Sequence, residues 1–300
     1  MGSEASTDPL PPRLQETPGG LSISSGKTNL ASYVTAPDVA AIESPRPYLH
    51  PIRTLGGTVV SDYRPADHDW HWGLSIAVSN IAVEGEELPV NVWGGVTFTG
   101  TEGYVQLDNN GSQVHESFTA VDQGMREHLR WSTATGRSFL SEERTLLARV
   151  VPVPGAGAAW RLDVSTVWTN ITDGILRFGS PTTAGRVNAG YGGLFLRGAG
   201  AFTDATVVTP RPGGDPMGQT GPWLALARDS ATVAMAACPA NPVAPTPWFV
   251  RTETPMLCAA PFFHEEWLLA AHDSATWGWS LLIADGRLDA GQVSAVFADA

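Results

Sequence analysis

Residues 160–169 alternate strictly: Trp160, Leu162, Val164, Thr166 and Trp168 take one side, and Arg161, Asp163, Ser165, Val167 and Thr169 the other. A period of two places successive side chains on opposite faces of a strand, so one face of this segment is buried and the other mostly wet. Short runs rich in Val, Thr and aromatic residues recur at 57–61, 74–78, 104–107, 114–118 and 127–132, and again at 193–197, 223–227, 232–236, 248–252, 265–271 and 275–283. Turn residues separate them, the pattern of antiparallel β structure. Near the start, 21–24 and 28–34 flank Ser25-Gly26-Lys27, where the glycine permits the reversal of a hairpin. Residues 1–19 hold Ser, Thr, Pro, Glu and Gly with few apolar side chains and read as a flexible tail, with 20–300 as a single folded domain. The best helix is short and C-terminal: Asp289 caps a helix running to Phe297, and Gln292, three residues on, completes a capping box.

So many strands with almost no crossover helices must pack as two sheets face to face or close into a barrel. The chain is read as all-β, a large antiparallel β-sandwich with a short C-terminal helix. Hydrophobic residues at 43% against 16% charged supply a sizeable core and exclude a disordered chain. Eleven tryptophans can fill that core or line a cleft. Lys and Arg total 18 against 30 Asp and Glu, and the net charge of -12 repels phosphate backbones and anionic lipid, so neither nucleic acid nor a membrane is the expected partner. No apolar run of about 20 residues is present to span a bilayer, and the first residues lack a basic segment followed by an apolar one; a cytoplasmic location is expected. Cys238 and Cys258 are too few for a disulfide scaffold and read as reduced structural thiols.

Chemistry concentrates in His68-Asp69-Trp70-His71-Trp72-Gly73, which puts two imidazoles, a carboxylate and two indoles into six residues. Histidine is the side chain whose ordinary pKa lies nearest neutrality, so a pair can act as acid and base or as metal ligands. Upstream stand Arg46-Pro47-Tyr48-Leu49-His50-Pro51-Ile52-Arg53-Thr54 and Gly56-Gly57-Thr58. Downstream stand Asn91-Val92-Trp93-Gly94-Gly95, Gly185-Arg186 with Gly190-Tyr191-Gly192-Gly193-Leu194-Phe195-Leu196-Arg197, Asn241-Pro242 with Trp248-Phe249-Val250-Arg251, and Pro261-Phe262-Phe263.

This series resembles the bacterial family catalogued as methane oxygenase PmoA-related, of unknown function, whose members carry R-P-Y-x-H-P-x-R-T followed by a D-H-P-H-H-x-G-like block. The likeness spans residues 25–285. Methane oxidation itself is discounted, because a particulate oxygenase subunit is membrane-embedded and this chain has no spanning segment. The resemblance implies an architecture like that of carbohydrate-active β-sandwich proteins and, by association with sugar oxidoreductases, a sugar or polyol-like ligand. Asp69 stands where that pattern has proline, and Trp70 and Trp72 frame a single His71 where a further histidine is common. That exchange points to a flatter, more apolar substrate such as a natural-product intermediate.

If the two motif segments lie on neighbouring strands or loops, His50, His68 and His71 converge on one pocket as catalytic residues. One imidazolium would protonate an oxygen while a neutral histidine removes a proton, giving lyase, isomerase or cyclase chemistry without a cofactor. Alternatively the three hold a divalent transition metal, with Asp67 or Asp69 orienting a ring, in an oxygenase or hydrolase. A third reading is a non-catalytic carbohydrate or small-molecule binding protein. Arg53 and Arg186 offer planar forks of donors to substrate oxygens, Trp70 and Trp72 pack its ring, and Asp69, Trp93, Tyr191 and His264 complete the binding set. Glu142-Glu143-Arg144 reads as a solvated strand face, and His115, His128 and His272 as surface or satisfied core residues. The partner is a small-molecule substrate, and a homo-oligomer is compatible with the chain. No Gly-x-Ser-x-Gly elbow, phosphate-binding loop with a following lysine, or dinucleotide fingerprint occurs, which removes the commonest serine-hydrolase, nucleotide-hydrolase and nicotinamide designs.

Overall fold

The computed structural model describes residues 9–211 and 213–298. In chain order they form β1 (Arg13–Thr17), β2 (Gly20–Ser25), β3 (Thr28–Val34), β4 (Tyr48–Ile52), β5 (Leu74–Ala77), β6 (Asn80–Ala82) and β7 (Thr97–Thr99). Next come β8 (Gly103–Val105), β9 (Ser112–Val121), β10 (Gly124–Ser132), β11 (Ser138–Val153), β12 (Gly157–Asn170), β13 (Leu176–Gly179) and β14 (Gly193–Arg197). The rest are β15 (Thr206–Val208), β16 (Trp223–Ala227), β17 (Ala231–Ala237), β18 (Trp248–Arg251), β19 (Met256–Ala259), β20 (Trp267–Leu269), β21 (Ser274–Asp285) and α1 (Ala290–Phe297).

Two eight-stranded sheets dominate, in the orders β1-β2-β3-β4-β5-β14-β19-β18 and β15-β16-β17-β21-β12-β11-β10-β9. One buried cluster joins them: Leu49, Leu74, Leu194 and Leu196 from the first sheet meet Leu146, Leu162, Trp168 and Leu281 from the second. Two antiparallel sheets sharing a core are a β-sandwich, the architecture expected from the alternating pattern. In β12 the residues Trp160, Leu162, Val164, Thr166 and Trp168 are all buried, as their period of two requires. Ser25 pairs with Thr28 across the hairpin turn. Asp289 accepts from the Gln292 backbone N–H while the Gln292 side chain accepts from the Asp289 N–H, closing the capping box on α1. Among the described residues no helix is long and apolar enough to cross a membrane.

The structure departs from the sequence expectation in three places. Arg13–Thr17, assigned to the flexible tail, is an edge strand paired with β2; its side chains are mostly exposed, and the backbone ladder and the packing of Leu14 against the core support it. Residues 1–8 of that tail lie outside the described residues. Residues 57–61 make only isolated bridges, Arg53 with Val59 and Ser61 with Gly198. Glu142 and Arg144 are not on a solvated face: they lie 0% and 2% exposed between the sheets.

Candidate functional site

Because Leu49, Leu74, Leu194 and Leu196 point into the core, the residues that alternate with them, His50, Ser75, Phe195 and Arg197, project from the outer face of the first sheet. Phe195 pairs with Ser75 on one side and Cys258 on the other, so these side chains form one row. Loops fold over that row. Arg46 anchors them: its guanidinium donates to Ser75 Oγ (3.2 Å) and to the carbonyls of Glu43, Ser44 and Trp70, and lies 4.5 Å over the Trp72 ring. Burial pushes Arg46 down to about 9 against the pull of Glu43, so it stays charged at neutral pH.

The loop it anchors carries the histidine motif. The His68 N–H donates to Pro65 O (2.9 Å) and the His71 N–H to His68 O (3.1 Å), a tight turn that stacks the two imidazoles at 4.5 Å with 3° between their planes. Gly73 ends the turn at φ +40; a Cβ there would lie 1.9 Å from Leu49 O, so only glycine lets the loop enter β5 beside His50. Asp67 Oδ2 pairs with His68 Nδ1 at 2.7 Å. Arg197 donates to both Asp67 oxygens, at 2.7 and 3.0 Å, and one of its terminal nitrogens lies 3.3 Å from His71 Nδ1. Four side chains thus close a cycle.

The cycle fixes protonation. A guanidinium only donates, so His71 Nδ1 accepts and the neutral ring carries its proton on Nε2. His71 is 3% exposed, and burial, followed by the positive charges of His68, Arg197 and Arg46, holds it well below the ordinary histidine value. Burial tends to raise Asp67, but hydrogen bonds and charge from His68 and Arg197 outweigh it and hold the carboxyl below its usual range. The His68 side chain is 39% exposed. With Nδ1–H directed to Asp67, its Nε2 is the free edge of the cycle.

Aromatic rings wall this edge. Trp70 meets His68 edge-on at 5.2 Å, and Trp93 meets His71 at 5.6 Å, Phe195 at 4.5 Å and Tyr191 at 4.4 Å. The Trp70 indole lies against the backbone of Gly94 and Gly95; Gly95 has φ +64, and a Cβ on it would come within 2.5 Å of the ring. Beyond Tyr191, its hydroxyl meets that of Tyr104 at 2.9 Å, and Arg186 donates to Tyr104 while its guanidinium lies 4.6 Å from the Tyr104 ring centre.

The model of a family of unknown function, DUF6807, matches residues 20–298, nearly the whole chain. The chain belongs to the DUF6807 family. The resemblance to the PmoA-related family is corrected by this result: short motifs suggested it, but no PmoA-related family matches. No curated protein matches this DUF6807 chain. Among solved structures, a polysaccharide lyase aligns with TM-score 0.39 and 7% identity over 93% of this chain and 33% of its own. A heparan sulfate lyase from Pedobacter heparinus aligns with TM-score 0.39 and 8% identity over 96% and 37%. The Slr1438 protein from Synechocystis aligns with TM-score 0.32 and 10% identity over 95% and 100%. The chain therefore spans about a third of the length of the two lyases.

Against these coordinates the sequence-derived set divides. His68, His71, Trp70, Trp93 and Tyr191 are brought together, and Arg186 joins them through Tyr104. His50 is not part of the cycle: its Nδ1 pairs with Ser61 Oγ at 2.9 Å, its ring stacks on Tyr63, and burial, then Asp62 and Arg53 in opposition, leaves its pKa lowered. Convergence of three histidines is thus corrected to a stacked pair, and among the described residues no three His, Cys, Asp or Glu side chains gather as a metal site. Trp72 is 0% exposed, its indole N–H donating to Asp69 O, so it packs the protein and not a substrate ring. The Asp69 carboxylate points to solvent, 3.9 Å from Arg64. Arg53 follows directly on β4, bridges to Val59 and accepts from the Trp160 indole through its carbonyl, and is not brought together with Arg186. His264 donates from Nε2 to Gly218 O at 2.8 Å and fastens the rim loop.

Arg197, Tyr104 and Arg46 are the site residues that sequence reasoning missed. Arg197 carried a signal: it is a lone charge closing the apolar run Leu194-Phe195-Leu196. Tyr104 carried none, since it reaches Tyr191 from 87 residues away.

Proposed function

We propose that this chain is a small-molecule enzyme in which the Asp67–His68 pair performs general acid/base chemistry of the lyase or isomerase type on an oxygen-bearing ring, sugar-like or derived from a natural product. The reading is carried by the closed cycle Asp67–His68–His71–Arg197 with a single exposed edge. The carboxylate holds His68 Nδ1–H, leaving Nε2 to take a proton from a carbon next to a carbonyl and return it elsewhere. His71 does not exchange protons with substrate; kept neutral by burial, it supports the His68 ring without a second positive charge. Trp70 and Tyr191 offer ring faces, and Arg186 with the Tyr104 hydroxyl offers donors to an oxygen that gains charge.

A panel of ketoses, aldoses and uronates in D2O, followed by proton NMR, tests the reaction class, because abstraction next to a carbonyl exchanges the C–H whatever the product. Exchange that falls by a factor of about 10²–10⁴ in His68→Gln supports the assignment. Saturable binding with no exchange in any variant would establish the second reading, a carbohydrate or small-molecule binding protein. That reading is favoured by one observation: only one of the two stacked imidazoles reaches solvent.

A further inference from the structure

The outer face of the second sheet, on the opposite side of the sandwich from His68, holds a cleft of about 1090 Å³. Strand periodicity builds its floor. With Trp160, Leu162 and Val164 turned into the core, Arg161, Asp163 and Ser165 of β12 face outward and line it. Register extends the row across the sheet: Asp163 pairs with Ser280, Ser280 with Ala236, and Ala236 with Trp223. At about 4.8 Å per strand the floor runs roughly 14 Å from carboxylate to indole. In the next row Ser165 pairs with Gly278, which presents no side chain, and Cys238 closes that end. Pro210, Pro222, Pro239, Pro245 and Phe297 form most of the walls, so the cleft is largely apolar away from Arg161, with Asn241 bonded to Gly278 as a neutral polar group at the far end.

Arg161 is 6% exposed and under-used. Its Nε lies 2.9 Å from Asp163 Oδ1 yet makes no hydrogen bond among the described residues, one terminal nitrogen reaches Val296 O at 3.3 Å, and the other reaches Asp163 Oδ2 at 3.5 Å. Asp163 is already engaged by Ser280 Oγ and by Arg149. A guanidinium has five N–H donors, and buried donors left unsatisfied are costly, so a geometry of this kind suits an incoming acceptor. Among the described residues, two arginines against one carboxylate leave one positive charge at this end.

We infer that the cleft is a second ligand site, independent of the His68 chemistry, that takes a monoanionic organic acid. Its carboxylate sits on the Arg161 fork and its flat apolar body lies over Gly278 and Ala236 against Trp223. The planar fork selects a carboxylate over a neutral amide of the same shape.

Calorimetric titration with 2-naphthoate and the neutral 2-naphthamide tests this on the full chain. Naphthoate binds about ten-fold or more tightly than the amide, Arg161→Met removes the difference, and His68→Gln changes neither affinity. Bound naphthoate also slows alkylation of Cys238, the half-buried thiol in the cleft, whereas Cys258 is fully buried. Failure of naphthoate to bind, equal affinities for acid and amide, discrimination that survives Arg161→Met, or binding lost in His68→Gln overturns the proposal. Should Arg161→Met not fold, Ser165→Trp decides: position 165 is exposed, and its indole fills the floor. Undiminished naphthoate binding in Ser165→Trp places the ligand elsewhere and overturns the proposal.

Discussion

Two arginines each gather a set of polar side chains, Arg144 between the sheets and Arg197 on the outer face of the first, and they differ in what is left over. Arg144 donates to both oxygens of Glu142, to the Tyr33 hydroxyl and to Gln113; Glu142 also accepts from Trp131 and Thr166, and Glu127 from Tyr33. All six of these partners of Arg144 and its carboxylates are no more than 2% exposed. Around Arg197 the cycle is closed in the same way, but Asp67 and His68 have side chains 40% and 39% exposed, and the arginine Nε is buried without a partner among the described residues. A polar network buried between two sheets, its outer edge capped by the part-exposed His115 on Glu127, fixes how the sheets meet. One with an open edge leaves an imidazole facing solvent.

The largest effect is expected where the network is closed. Arg144→Met leaves the buried Glu142 carboxylate without its ion-pair partner, and breaking a buried pair by removing one partner costs about 3–5 kcal/mol. Urea unfolding followed by tryptophan fluorescence measures it; a loss below about 1 kcal/mol would mean that the interior network does not hold the sheets and would dissolve the contrast. Arg197→Met should cost less, about 1–3 kcal/mol, because the orphaned Asp67 can turn to water while only His71 loses a buried partner. Equal losses in the two variants would show that the open cluster is as structural as the closed one.

Acid sharpens the comparison through His71. Its folded pKa is depressed by burial and by neighbouring positive charge, so between that value and the ordinary 6.5 the unfolded chain binds a proton that the folded chain refuses. Stability is therefore full above about pH 6.5 and falls as pH drops, by up to about 1.4 kcal/mol per unit from this one group. His50, lowered chiefly by burial, adds a slope of the same sign. Unfolding measured from pH 7.5 to 4.5 should show a shallower decline in His71→Gln than in the native chain. An unchanged slope would mean that His71 is protonated in the fold and that Arg197 is not its donor.

Why one cluster could be read from the sequence and the other not follows from where apolar residues sit. β12 declared itself because its inward positions are Trp, Leu, Val, Thr and Trp. β11 pairs with it over its whole length, but its inward positions include Glu142 and Arg144, which break the alternation, so buried charge looked like a wet face. The histidine motif was visible because its residues are adjacent in the chain and one short turn stacks them. Grouping His50 with them failed because proximity of motifs in sequence says nothing about which of two neighbouring loops each ring faces; Ser61 and Tyr63 claim His50. Arg197 and Tyr104 arrive from 130 and 87 residues away, along a register that no local pattern encodes.

The smallest expected effect on stability belongs to the residue on which the proposed chemistry most depends. His68 contributes one hydrogen bond to a carboxylate that is itself four-tenths exposed and already held by two Arg197 donors, and its outer edge is in water. Exposed pairs of this kind contribute little, and surface substitutions of the sort usually stay within about 0.5 kcal/mol. His68→Gln should therefore unfold at the same urea concentration as the native chain while losing hydrogen–deuterium exchange on its substrate by a factor of about 10²–10⁴. Asp67→Asn separates the two jobs of the carboxylate. It weakens the grip on Arg197 and so costs some stability, and it also removes the partner that keeps the His68 proton on Nδ1. If His68→Gln instead lowered stability as much as Arg197→Met and left exchange intact, the imidazole would belong with Arg144 as part of the scaffold. The open edge of the cycle would then be a surface and not a site.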